Sequence, residues 1–95
     1  MSEVIEQAVA ALRDKLGGAF DGSAKFVIGD VGAVMVDRDG VRAGDEPAEV
    51  TLTATVDTFR AILEGDLSPT VAFMSGRLSI DGDMGLAMRL AGRMG

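Results

Sequence analysis

Apolar positions near the start of the chain recur at helical spacing. Val4, Ile5, Ala8, Val9, Leu12 and Leu16 fall on one side of a helix over residues 4–16, and Glu3, Glu6, Gln7, Arg13 and Asp14 fill the other. Gly17 and Gly18 stand where a helix stops. The period then drops to two. Residues 23–30, SAKFVIGD, read as a strand with Phe26 and Ile28 on one face, and a tight turn follows at residues 29–32. Residues 33–38 read as the next strand. Asp39-Gly40 signals a hairpin, and Val41, Arg42 and Ala43 extend the returning arm before a loop at residues 44–47. Residues 49–56 alternate most cleanly: Val50, Leu52, Ala54 and Val56 against Glu49, Thr51, Thr53 and Thr55. This predicts a sheet with its core on one face only. The short connections predict antiparallel order for these three successive strands.

The second half carries a dense run of start and stop signals. Asp57 is the expected N-cap of a helix holding Phe59, Ile62 and Leu63 and ending at Gly65. Ser68 and Pro69 open a further helix through Val71, Ala72, Phe73 and Met74, with Gly76 as its stop. Residues 77–81 form a short strand with Leu78 and Ile80 on one face, and Asp83 caps a last helix over residues 84–94. In that helix Met84, Leu86, Ala87, Met88, Leu90, Ala91 and Met94 cover most of the circumference, leaving Arg89 and Arg93 as a narrow polar stripe. A helix so apolar is normally buried or faces something other than water. The expectation is an α+β fold: a mainly antiparallel sheet of about four to five strands with helices packed on one face.

Composition narrows the function classes. At 95 residues the chain is expected to form one domain spanning 1–95, with 47% hydrophobic residues and only 4% aromatic. A net charge of −6 disfavours nucleic acid and anionic membranes as partners. With no Cys, a disulfide, a thiolate nucleophile and a cysteine zinc site are excluded, and with no His the commonest general base and transition-metal ligand are missing. No secretory leader or bilayer-length apolar run is visible, so the cytoplasm is the expected location.

Two long phrases, AEVTLTATVDTFRAILEGDLSP at residues 48–69 and AFMSGRLSIDGDMGLAMRL at residues 72–90, together with the F-x-I-x-D run of residues 26–30, resemble the sterol carrier protein type 2 family, the sterol-binding domain. The resemblance implies a hydrophobic cavity between sheet and helices that binds fatty acid, fatty acyl-CoA or related lipids, and in some members shuttles them between membranes. The chain closes on Arg93-Met94-Gly95, without the Ser-Lys-Leu type of peroxisomal address. Its usage, rich in Ala, Gly, Asp and Arg with little Lys, resembles that of a bacterium with a GC-rich genome.

On that reading Phe59, Ile62, Leu63, Phe73, Met74, Leu78, Ile80, Met84 and Met88 are expected to include the cavity wall, and methionine suits variable apolar ligands because it is flexible and polarizable. No catalytic residue, metal site or cofactor is expected. Asp81 and Asp83 around Gly82, and Asp37 and Asp39 before Gly40, read as turn and cap rather than as paired carboxylates or an EF-hand. Ser75 has no base to activate it. The pairs Gly29/Gly32 and Gly82/Gly85 make neither a dinucleotide fingerprint nor a P-loop. Lys15 and Lys25 have no spacing that supports an enzyme. Arg89 and Arg93 read as a solvated stripe, with a lipid head group as the alternative. Two functions stay open: a non-enzymatic lipid carrier, with a transient membrane or protein partner, or an interaction protein or accessory subunit whose last helix docks on a partner or on a second copy as a homodimer.

Overall fold

In the computed structural model, which describes residues 3–17 and 20–94, four helices lie on one face of a five-stranded sheet. In chain order the elements are α1 (Glu3–Leu16), β1 (Ala24–Ile28), β2 (Gly32–Asp37), β3 (Gly40–Ala43), β4 (Val50–Ala54), α2 (Val56–Glu64), α3 (Pro69–Met74), β5 (Ser79–Gly82) and α4 (Met84–Met94). The sheet order is β3-β2-β1-β4-β5. Gly17 leaves α1 with φ 74°, as expected of a helix stop, while Gly18 lies outside the described residues.

The inward face follows from register. Phe26 of β1 pairs with Val34 of β2 on one side and Leu52 of β4 on the other, and Leu52 pairs with Ile80 of β5. Ala24 likewise links Val36 and Val50. Alternation therefore places one continuous apolar surface under the helices. Phe26 sits at its centre and meets Phe59 of α2 edge to face, with ring centroids 5.7 Å apart and an interplanar angle of 71°.

One expectation about the sheet needs correction. The strand over residues 50–54 does not continue an antiparallel series: β4 pairs with β1, and in parallel. The reason lies in residues 41–43, which form a full strand, β3, and occupy the antiparallel place beside β2. The chain must then return across the sheet to reach the free side of β1. Residues 44–49 make that crossing over the outer face. There Lys25 pairs with Asp45 at 2.9 Å, Arg42 meets Glu46 at 3.8 Å, and a Cβ at Gly44 would stand 3.1 Å from Met35 Cγ. The outer face is thus partly roofed, and Met35, which points outward, is only 2% exposed.

The N-cap of α2 is also corrected. Thr55, not Asp57, accepts the hydrogen bond from Thr58 N, at 3.2 Å. Asp57 falls in the first turn, where its charge complements the helix dipole instead. The other helix signals match the structure. Ser68 Oγ accepts from Thr70 N at 3.2 Å with Pro69 opening α3, and Asp83 Oδ1 accepts from Leu86 N at 3.1 Å at the start of α4. Gly82 is required where it stands: its φ is 115°, and a Cβ there would collide with the carbonyl oxygen of Glu49.

Candidate functional site: an apolar compartment under the last helix

Between the β1–β4–β5 end of the sheet and helices α2, α3 and α4 lies a small, partly enclosed cavity of about 20 Å³. Phe26, Leu52 and Ile80 form its floor, and Leu78 closes one end. Phe59, Ile62, Phe73, Ala87, Met88 and Met94 form walls and roof, with Thr70 the single polar residue around it. This volume is about that of one water molecule, and an apolar space of this size gives water no partners.

Six of the nine residues expected at a cavity wall are brought together here: Phe59, Ile62, Phe73, Leu78, Ile80 and Met88. Leu63 instead faces a groove between α1 and α2. Met74 and Met84 stand outside both, 79% and 43% exposed. Phe26, Leu52, Ala87 and Met94 belong to the lining but are absent from the sequence-derived set. Phe26 and Leu52 follow from the β1–β4 pairing. Ala87 and Ala91, four residues apart on α4, leave room where leucines would fill the space.

The compartment borders an open groove of about 430 Å³ between α4 and the segment that runs from the end of α2 to the start of α3. Ile62, Pro69, Thr70, Met88, Ala91 and Met94 line both spaces, so they form the partition. Met88 is 56% exposed and Phe73 41%, unusual for large apolar side chains beside a core. Lys15, half-buried near the end of α1, lines the outer groove, and its ammonium group has no ion-pair or hydrogen-bond partner among the described residues.

The polar residues singled out earlier stand elsewhere. Arg93 donates from Nη2 to the carbonyl of Leu16 at 2.6 Å, satisfying a C-terminal carbonyl of α1. Arg89 lies over the Phe20 ring, 5.8 Å from its centroid, and donates to Asp21 O at 3.4 Å. The stripe thus ties α4 to the end of α1 and the segment after it. Ser75 Oγ donates to Ala72 O at 3.2 Å. Asp37 accepts from Asp39 N and, at both oxygens, from the Arg42 guanidinium at 2.9 and 3.0 Å. The Arg42 bond holds the Asp37 carboxyl below its ordinary pKa, as the Arg38 bond does for Asp21. Among the described residues no three carboxylates converge as a metal site, and no helix is long and apolar enough to cross a membrane.

Comparison with known proteins agrees with this architecture. The model of the SCP-2 sterol transfer family matches residues 5–94. The chain is 47% identical over 45 residues to human hydroxysteroid dehydrogenase-like protein 2, covering 47% of this chain and 11% of that protein. It is 44% identical over 46 residues to human sterol carrier protein 2, covering 48% of this chain and 8% of that protein. The chain therefore spans only about a tenth of the length of these relatives. Among solved structures, sterol carrier protein 2 from Aedes aegypti in complex with palmitate superposes with a TM-score of 0.78 at 24% identity, covering 99% of this chain and 96% of that one. Sterol carrier protein 2 like 2 from the same organism gives 0.77 at 24% identity, covering 94% of each chain.

Proposed function

This chain belongs to the SCP-2 sterol transfer family, and from that premise we propose that it binds and carries an apolar lipid, a fatty acid or a fatty acyl-CoA, without chemically altering it. The observation that carries the reading is a compartment lined by apolar side chains, Thr70 apart, that shares six lining residues with a lipid-sized groove. Ligand pockets typically measure about 300–1,000 Å³. The inner cavity falls far short of that, whereas the outer groove alone falls within it. Carrying a ligand from the groove into the inner cavity means moving Met88 and its neighbours on α3 and α4 aside. Methionine has three rotatable bonds and costs little to repack, and α3 is only six residues long.

Each methylene moved from water into such a space contributes about 0.8 kcal/mol. A long acyl chain can thus offset the cost of association with no precise polar site. Phe59, Ile62, Phe73, Leu78, Ile80 and Met88 would line the occupied cavity. Lys15 would face a carboxylate or phosphate in the outer groove, and Met74 and Met84 would form an apolar rim around the mouth. The Aedes aegypti protein bound to palmitate supports a fatty acid as the first ligand to try. Lipid extraction and mass spectrometry of the gently purified protein, followed by displacement of a fluorescent fatty acid, tests the reading. Co-purifying lipid and saturable displacement are expected; absence of both contradicts it.

A second reading rests on a separate observation. Val71, Phe73, Met74, Met84 and Met88 are between 41% and 79% exposed on neighbouring elements, and such a patch can dock on a protein partner or a second copy. Sedimentation of the lipid-loaded protein separates the two: a monomer that still exchanges lipid favours the carrier, and a tight dimer that does not exchange favours docking.

A further inference from the structure

We propose that Phe59 is a specificity-determining residue: it closes the inner compartment against a second apolar groove and so sets the length of chain the protein accepts. The inference rests on the lipid-binding reading above. The second groove opens between α1 and α2 and measures about 170 Å³. Val4, Ala8, Ala11, Ile28, Val56 and Leu63 wall it, and Gln7, Arg60 and Glu64 also border it. Ala8 and Ala11 share one face of α1, and their small side chains leave the gap between the helices unfilled.

Among the described residues Phe59 alone lines both this groove and the inner cavity. It is 3% exposed and held edge to face against Phe26. The apolar surface is therefore continuous from Leu52 and Ile62, past one aromatic ring, to Ala8 and Ala11. A chain that fills the inner compartment stops at that ring. With the ring removed, further carbons would continue into the α1–α2 groove, and each methylene buried there would raise affinity about fourfold.

The test measures displacement of a fluorescent fatty acid by saturated fatty acids of about ten to twenty carbons. It uses the wild type, Phe59→Ala, Phe59→Leu and the double variant Phe59→Ala/Ala11→Leu. Wild-type affinity should rise with length and then level off. Phe59→Ala should move the level-off to longer chains, and Ala11→Leu, which fills the second groove from α1, should move it back. A folded Phe59→Ala protein with the wild-type length profile, or a double variant that keeps the longer profile, overturns the proposal. Phe59→Leu keeps the test if Phe59→Ala does not fold: a level-off at longer chains supports the assignment, and an unchanged one overturns it. Failure of the wild type to take any chain length defeats the lipid reading itself.

Discussion

Where α1 lies on β2 and β3, the core is sealed: Ile5, Leu12, Leu16, Val34, Val36 and Val41 are between 0% and 4% exposed. Where α3 and α4 lie on β4 and β5, sealed anchors such as Leu78, Leu86 and Leu90 alternate with Phe73, Met74, Met84 and Met88, which are 41–79% exposed. The same secondary-structure types make both regions, so the difference lies in side-chain choice. Branched and aliphatic residues fix the first region in a single packing, while unbranched methionines and small alanines leave the second region room to repack. The first region acts as a frame; the second holds the parts a ligand would displace.

Substitutions should expose this contrast. Leu12→Ala, in the sealed region, should cost about 2–5 kcal/mol of stability in equilibrium urea unfolding, because a buried leucine leaves a cavity its rigid surroundings cannot fill. Gly82→Ala tests whether the loose region still depends on a fixed backbone. Left-handed geometry and the collision with Glu49 O predict a loss of about 1–3 kcal/mol, or more if β5 detaches from β4. Met88→Ala should change stability by no more than about 0.5 kcal/mol yet weaken fatty acid binding by roughly 1–2 kcal/mol, read by titration. Equal losses in stability and binding would break the comparison. Arg93→Ala removes the tie between α4 and the end of α1 and should cost about 1 kcal/mol.

The smallest effect concerns acid. Asp37 is held below its ordinary pKa of 3.8 by Arg42. Its contribution is therefore complete above the unfolded value and is lost as the pH falls below it through the lower folded value. Asp37→Asn should flatten the fall in unfolding midpoint within that acid window and leave the pH dependence above it unchanged.

The helices were legible because their signals are local. Ser68-Pro69, Asp83 and Gly65 each act on the adjoining turn, and the structure uses all of them. The place of β4 was not legible, because it depends on the course of residues 44–49 over the outer face, anchored by Lys25–Asp45 across 20 positions. Thr55 displaced Asp57 as cap for a related reason: either residue could cap, and where the strand ends decides between them. Within the candidate site Met88 stood out by type, whereas Met94 was missed and Phe26 and Leu52 required the β1–β4 register. The unbroken apolar run of residues 33–36 did not say which face Met35 takes; the β1–β2 register turns it outward, under the crossing segment.

That covered methionine supplies the internal control for the most direct measurement. Met88 and Met94 line the apolar compartment, while Met35 is buried on the opposite face of the same sheet. Titrating protein labelled with ¹³C at its methionine methyl groups with palmitate should shift the Met88 and Met94 resonances in saturable fashion and leave Met35 nearly unmoved. Unmoved Met88 and Met94 at saturating ligand, or a Met35 shift as large as theirs, would contradict a lipid site under the last helix.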